Sequence, residues 1–394
     1  MTYLDWASTS PPDASLLAGA AEAASQFYAN PSSGHALGAA ARAELERIRG
    51  RLAAALGAGP GRVVLTSGGS EADAIVLLSA LRAQDRLRAS GLSKRLRVVT
   101  TEIEHPAVHE QARLLQSLGL ELVYLYPRAD GRVDPAELAE AVTRETVLVA
   151  VMAVNNETGA VQPLAELARA LAEASAALGM KAPRFHADAV QALGKLEFRP
   201  AELGISSAAF SAHKIRGPRG SGALWMQGEL EPLAVGGGQE EGTRPGTESL
   251  QGAWAFAGAA EKALSSLAER REAALALEAR LISGLASIPG ALPLPLGRGP
   301  GDARYSPFIL SAAFPGLSGE VLARALSDSG IAVSTGSACS SNARRKGRRV
   351  LEAMGLQPEL AFSSIRVSWG ELTGGGDIDA FLEAASTLYK KLKA

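Results

Sequence analysis

The chain has 394 residues, 47% of them hydrophobic and 21% charged, which supplies apolar material for large cores and excludes a disordered polymer. Its 40 Lys plus Arg stand against 41 Asp plus Glu, so a formal net charge of −1 gives no pull toward nucleic acid or an anionic membrane. The single cysteine, Cys339, excludes an intrachain disulfide and leaves a lone thiol.

Residues 1–11 have no basic start and carry Asp5 inside their only apolar stretch, so they do not read as a secretory leader. The longest apolar runs, such as 147–154, fall far short of the roughly 20 residues that cross a bilayer. A cytoplasmic protein with a small-molecule partner is the expectation, and a lone thiol fits a reducing compartment. From Arg62 to about Gln227, short β-rich runs alternate with Ala/Leu-rich helical stretches, the pattern of an α/β fold with a parallel sheet covered on both faces. Strands are expected at 63–66, Arg97–Thr101, Glu121–Leu125, 147–154, Arg184–Asp188, Ser207–Ser211 and Gly222–Met226. Caps place helices between them. Asp134, Pro135 and Glu137 form an N-terminal signal before 138–142, while Pro163 opens the next helix and Gly179 closes it. Residues 248–288 lack proline and keep helical spacing, which predicts one long helix or two. Beyond them come a strand at 307–313, a helix at 318–327, strands at 331–334 and 364–369, and a final helix at 378–392. The expected division is a large domain, 14–262, and a smaller unit, 263–394 together with 1–13.

In an open parallel sheet, ligands collect at the carboxyl ends of the strands, so the residues just after each strand carry the information. Ser67-Gly68-Gly69-Ser70-Glu71 is either a plain glycine-rich turn or a phosphate cradle at a helix N-terminus. His105, ahead of Pro106, is a helix cap or a catalytic imidazole. Asp188, in His186-Ala187-Asp188-Ala189-Val190-Gln191, offers a carboxylate that either caps a helix or serves a ligand. Lys214, in Ser211-Ala212-His213-Lys214, is a solvated turn lysine or a desolvated amine able to form a Schiff base. Taken together, a phosphate cradle, an imine-forming lysine, an acid for a pyridinium nitrogen and an imidazole to stack on a ring describe a pyridoxal 5'-phosphate site.

The order and wording of these segments resemble the class V aminotransferase-like cysteine desulfurases of the group with a Gly-Ser-Ala-Cys motif. The likeness runs from Tyr3-Leu4-Asp5 and Asn30-Pro31-Ser32-Ser33-Gly34-His35 through Thr66 to Glu71, Asn155-Asn156-Glu157-Thr158-Gly159, His186 to Gln191 and Ser211 to Lys214. It continues in Gly236-Gly237-Gly238-Gln239-Glu240, Arg244-Pro245-Gly246-Thr247 and Gly336-Ser337-Ala338-Cys339. The resemblance implies the type I fold of pyridoxal phosphate transferases, with a mostly parallel large domain and a smaller α+β C-terminal domain carrying the Cys339 loop. It implies that Lys214 binds the cofactor covalently, Asp188 pairs with the ring nitrogen and His105 stacks on the ring. Asn156 and Gln191 match contacts to the ring hydroxyl, and Gly69, Ser70, Ser211 and His213 match contacts to the phosphate. Thr247 matches a threonine that reaches the phosphate of a neighbouring subunit, which implies a homodimer. Arg366 matches the arginine that, with Asn156, holds the substrate carboxylate, a task for which a planar fork is suited.

Cys339 selects the reaction. A thiolate attacking the sulfur of bound L-cysteine releases alanine and leaves a persulfide for iron–sulfur cluster assembly or thiolation, with a sulfur-acceptor protein meeting the loop. Small residues on both sides, from Ser334 to Ala338 and from Ser340 to Asn342, suit a loop that enters and leaves a pocket. The alternatives are a selenocysteine lyase, another class V aminotransferase or β-lyase, and a non-catalytic scaffold of the same fold. The chain departs from the family pattern in three places. Arg344, Arg345, Lys346, Arg348 and Arg349 form a basic run that either lowers the thiol pKa, docks an acidic acceptor or RNA, or is a solvated loop. Trp6 stands where asparagine is common, and Glu241 where arginine is common. The five histidines, His35, His105, His109, His186 and His213, lack zinc-type spacing, so no metal is expected.

Overall fold

Along the strand Arg62–Thr66, Val63 and Leu65 enter one core while Val64 enters another. The same alternation recurs in Arg97–Thr101, where Val98 and Val99 part to opposite sides, and in Gly222–Met226, where Trp225 and Leu224 do. Both faces of the sheet are therefore buried, which is why its strands read as unbroken apolar runs. The coordinates are a computed structural model that describes residues 1–90, 94–336 and 348–393. Cys339, Arg344, Arg345 and Lys346 lie outside the described residues.

The chain opens with β1 (Thr2–Tyr3), α1 (Ala14–Gln26) and α2 (Ala36–Ala55). The alternating region follows as β2 (Arg62–Thr66), α3 (Gly69–Ala89), β3 (Arg97–Thr101), α4 (Pro106–Ser117), β4 (Glu121–Leu125), α5 (Pro135–Ala141), β5 (Thr146–Ala150), α6 (Leu164–Ala177), β6 (Arg184–Asp188), β7 (Ser207–Ser211) and β8 (Gly222–Met226). The remainder is α7 (Leu250–Ser265), α8 (Leu267–Ala286), β9 (Leu292–Leu294), β10 (Ile309–Ala313), α9 (Gly319–Asp328), β11 (Ile331–Ala332), α10 (Arg349–Ala353), α11 (Pro358–Phe362), β12 (Ser364–Ser368) and α12 (Gly375–Lys393). Asp134 caps α5 by accepting from Ala136 N–H at 3.0 Å, with Pro135 in the first turn. Gly179 takes φ +62° just past α6, a conformation that ends a helix at little cost only for glycine.

Seven strands form the central sheet in the order β2-β8-β7-β6-β5-β3-β4. Two expectations need correction. β8 runs antiparallel to both β2 and β7, because the link 212–221 holds one 3-10 turn, Ala212–Lys214, and no crossover helix. The run 147–154 parts from β3 after Ala150, where Met152 N–H donates to Glu104 Oε1 at 2.9 Å, while Val151 and Ala153 N–H still donate to His186 O and Asp188 O of β6. Residues 151–154 stay buried as the floor of a loop, so their apolar character reports burial and not a strand. The strands expected at 307–313 and 331–334 shorten to β10 and β11, and the stretch 248–288 breaks at Ser266 into α7 and α8.

A three-stranded antiparallel sheet, β12-β10-β9, forms a second centre. Leu281 and Leu285 of α8, Leu322 and Leu326 of α9, and Phe381 of α12 pack on it. β1 pairs with β11, which brings Leu4 and Ala7 into that core. From there the N-terminal segment runs back over the central sheet. Ser10 N–H donates to His213 O at 2.9 Å, and Asp13 N–H to Arg216 O at 2.9 Å. Ala7 and Ser8 are thereby held above the end of β7.

Candidate active site

A cavity of about 450 Å³ opens at the carboxyl ends of β2, β3, β5, β6 and β7. Gly69, Ser70, His105, Asn156, Asp188, Gln191, Ser211, His213, Lys214 and Arg366 all line it, so residues up to 297 positions apart in the chain meet in one place. Thr247 is exposed and lies outside this cavity of its own chain. Gly336 lines the cavity, three residues before Cys339.

Lys214 stands in the tight turn after β7. Its Nζ donates to the carbonyl oxygens of Ala7 and Ser8, each at 2.7 Å. Gln191 Nε2 donates to the same Ala7 oxygen at 2.9 Å. Asp188 ends β6, is 6% exposed, and accepts from Val190 N–H at 3.0 Å. Burial pushes its carboxyl above the usual range, against the pull of His105, the Val190 N–H and Lys214. A cationic partner in the cavity would offset that burial.

His105 is a helix cap whose ring also faces the cavity. Its Nδ1 accepts from Ala107 N–H at 3.1 Å, capping α4, and the same ring lines the cavity. With Nδ1 as acceptor, the proton of the neutral imidazole is assigned to Nε2. Burial lowers the His105 pKa, which favours that neutral ring.

A second hollow of about 350 Å³ shares Gly69, Ser70, Ser211 and His213 with the first and adds Thr9, Ser67 and Arg219. The 21-residue helix α3 has no side-chain cap, so its first N–H groups are available to a ligand. Hydroxyls, backbone donors and one guanidinium make this a site for an anion such as a phosphate. Glu71, in the first turn, is held aside by Ser67 N–H and by Arg244 at 3.0 Å.

Arg366 Nη1 donates to Asn156 O at 2.9 Å, and its Nη2 to Asp5 Oδ1 and Ser8 Oγ, each at 2.7 Å. Two buried acids, Asp73 of the cavity wall and Glu104, escaped the sequence reading. Asp73 bonds His186 Nε2 at 3.0 Å, and His186 Nδ1 meets Ser207 Oγ at 3.0 Å, a buried polar chain that reaches the cavity at Asp73. Burial holds His186 down to about 3 and raises Asp73. Glu104, next to His105, accepts from Thr101 Oγ1 at 2.6 Å; burial pushes it up to about 8. Nothing in the sequence distinguishes these acids from surface ones, because their burial arises from tertiary packing. Arg348 is 3% exposed and donates to Thr335 O, and Arg349 donates to the carbonyls of Glu102 and Glu104. For these two members of the basic run, a solvated loop is ruled out. Trp6 is buried and absent from the cavity wall, and Glu241 pairs with Arg62 at 2.5 Å.

The sequence profile of the family Aminotransferase class-V matches residues 2–381. The chain belongs to the class-V aminotransferase family. Members of this family use pyridoxal phosphate, and the chain is an enzyme of that kind. Its similarity to cysteine desulfurase 2 of Trichormus variabilis is 35% identity over 395 residues, covering 100% of this chain and 94% of the relative. A NifS-like protein of known structure superposes with a TM-score of 0.87 at 31% identity, covering 99% of both chains. A structure described as SspA in complex with cysteine matches with a TM-score of 0.76 at 29% identity, covering 93% of this chain and 98% of that one. Among the described residues, no helix is long and apolar enough to cross a membrane.

Proposed function

We propose that this class-V enzyme is a cysteine desulfurase, converting L-cysteine to L-alanine and leaving the sulfur as a persulfide on Cys339. The observation that carries the reading is the placement of the Lys214 amine, 2.7 Å from two backbone carbonyls, in a cavity whose wall also holds Asp188 and Arg366. The residues present fit pyridoxal phosphate: hydroxyls and free helix N–H groups for its phosphate, a buried carboxylate for its ring nitrogen, and a neutral imidazole for its face. When bound, that cofactor supplies an electron sink for bond cleavage next to the amino nitrogen of an amino acid.

Around it the chain's own residues have distinct tasks. Arg366, fixed by Asp5, Ser8 and Asn156, binds the substrate carboxylate. Lys214 moves the α-proton. Asp188 keeps the ring nitrogen protonated, and His105 excludes water from one face. Cys339 follows Gly336, a cavity residue, by three positions, at most about 11 Å of extended chain. A thiolate within that reach attacks the substrate sulfur, and the carbon side leaves as alanine.

The likeness to SspA, solved with cysteine, supports the substrate. A homodimer, with Thr247 completing the partner's phosphate site, is part of the same reading and is supported by the exposure of Thr247, Leu233 and Val235. So is a cytoplasmic location, where a lone thiol stays reduced. A sulfur acceptor meeting the Cys339 loop completes it. The test is incubation of the holoenzyme with cysteine, or with selenocysteine in parallel, measuring alanine and the mass of the peptide bearing Cys339. Persulfide on Cys339, lost in Cys339→Ser while cysteine binding persists, supports the reading. Equal alanine formation by Cys339→Ser contradicts it.

A further inference from the structure

Lys195 lies in the turn after β6 and is 4% exposed, and the steps above give it no task. Its Nζ donates to Gln191 Oε1 at 2.5 Å. The nitrogen of the same amide donates to Ala7 O at 2.9 Å, and that oxygen also accepts from Lys214 Nζ at 2.7 Å. Lys195, Gln191, the Ala7 carbonyl and Lys214 therefore form one continuous hydrogen-bonded line.

A primary amide has one oxygen to accept and two N–H groups to donate. Here the oxygen faces Lys195 and one N–H faces Ala7, so the group Gln191 can offer to the cavity it lines is the second N–H. Rotating the amide by half a turn would set its oxygen against the Ala7 oxygen, two acceptors without a proton between them, and would strip Lys195 of its partner. Burial, and then the positive charges of Lys214, Arg270 and Arg366, lower the Lys195 amine well below the usual lysine range. A neutral amine keeps two N–H donors, so it still serves the amide oxygen without adding a charge beside Lys214.

We propose that Lys195 is a positioning residue that fixes Gln191 as a hydrogen-bond donor into the cavity, toward an acceptor oxygen on the aromatic ring of the bound cofactor. The proposal rests on the pyridoxal phosphate reading, because that ring carries such an oxygen as its hydroxyl substituent.

The test compares equilibrium binding of pyridoxal phosphate with that of its 3-deoxy analogue, which lacks the ring hydroxyl, in the full-length apoenzyme. The expected result is that Lys195→Met lowers the preference for the hydroxylated ring by about fivefold to tenfold, the scale of one hydrogen bond. Lys195→Arg should recover most of it. In a Gln191→Leu background, Lys195→Met should change the preference no further, since the two residues act through one contact. A merely structural role would weaken both ligands equally. An unchanged preference, equal weakening of both ligands, or a full effect without Gln191 overturns the proposal. Should Lys195→Met fail to fold by circular dichroism, the same ratio is read on Lys195→Ala. Wild-type protein that binds neither ring removes the cofactor reading and this proposal with it, whereas a normal wild-type preference that survives in the variants removes the proposal alone.

Discussion

Arg366 of β12 is joined to Asp5 by a 2.7 Å contact, with side-chain exposures of 4% and 22%. Ser8 Oγ and the Asn156 carbonyl complete a set of three acceptors around the guanidinium, while its Nε is buried without a hydrogen-bond partner among the described residues. The N-terminal segment, the loop after β5 and the small sheet thus converge on one cation. Its plane is set before any substrate arrives.

Arg366→Lys keeps the charge and removes the planar fork. The expected result is a KM for cysteine raised by about tenfold or more, with a smaller change in kcat. Asp5→Ala should raise KM in the same direction and cost about 1–3 kcal/mol of stability, because it leaves a buried donor unpaired. Steady-state kinetics of the two variants check this. An unchanged KM in Arg366→Lys would place the substrate carboxylate elsewhere.

Glu104 yields a pH prediction. Its folded-state pKa is raised from 4.5 to about 8, mainly by burial. The protonated acid is the form the fold prefers, so its contribution is intact below about pH 4.5 and is lost as pH rises toward about 8. His186 and His213, lowered from 6.5 to about 3 and about 4, act in the opposite sense: their contribution is present above about 6.5 and is lost as pH falls. Glu104→Gln removes only the first trend. Its stability relative to wild type should climb between pH 5 and pH 8, by up to about 1.4 kcal/mol per unit, in urea unfolding. Parallel profiles would mean that Glu104 ionises normally.

Gly222, at the start of β8, lies against the turn 67–70. A Cβ there would sit 2.5 Å from Gly68 Cα and 2.6 Å from Phe210 O, both backbone atoms that cannot swing aside. Gly222→Ala should therefore push the 67–70 turn outward and weaken pyridoxal phosphate binding by about tenfold or more, roughly the loss of one charged hydrogen bond. Fluorescence titration of the apoenzyme measures it. Wild-type affinity would show that the anion does not sit at this turn.

The limits of sequence reading are visible in particular residues. Arg97–Thr101, Glu121–Leu125 and Ser207–Ser211 are strands with the expected ends, because their apolar runs, deeply buried in the first and third and partly buried at the edge strand Glu121–Leu125, stop where polar turns begin. Met152 breaks the rule, since its N–H is satisfied by a side chain, and hydropathy does not register that exchange. The direction of β8 was missed because the β/α alternation alone implies parallel strands, whereas the short 212–221 link has no room for a crossover helix. Lys214, Asp188 and His105 stand out by their position after strands. Ala7 does not, because it acts through a main-chain oxygen that any residue would supply. Lys195 and Asp73 look like surface charges until the fold buries them.

Arg298 and Glu278 form a buried pair at 2.6 Å, with side chains 0% and 1% exposed. Arg298 also donates to Thr158 O at 2.8 Å, tying α8 to the loop that carries Asn156. Glu278→Ala should cost about 3–5 kcal/mol, because it leaves an uncompensated buried guanidinium, and Glu278→Ala with Arg298→Met should recover part of that. Urea unfolding with unchanged slope checks the effect. A loss below about 1 kcal/mol in the single variant would contradict it, since that is the range of exposed pairs.

The chemistry turns on the Lys214 nitrogen. Borohydride reduction of the protein loaded with pyridoxal phosphate, followed by peptide mass mapping, should leave a reduced pyridoxyl group on Lys214 and none on Lys195, 19 positions earlier. A label on Lys195, or no lysine label at all, would contradict the account.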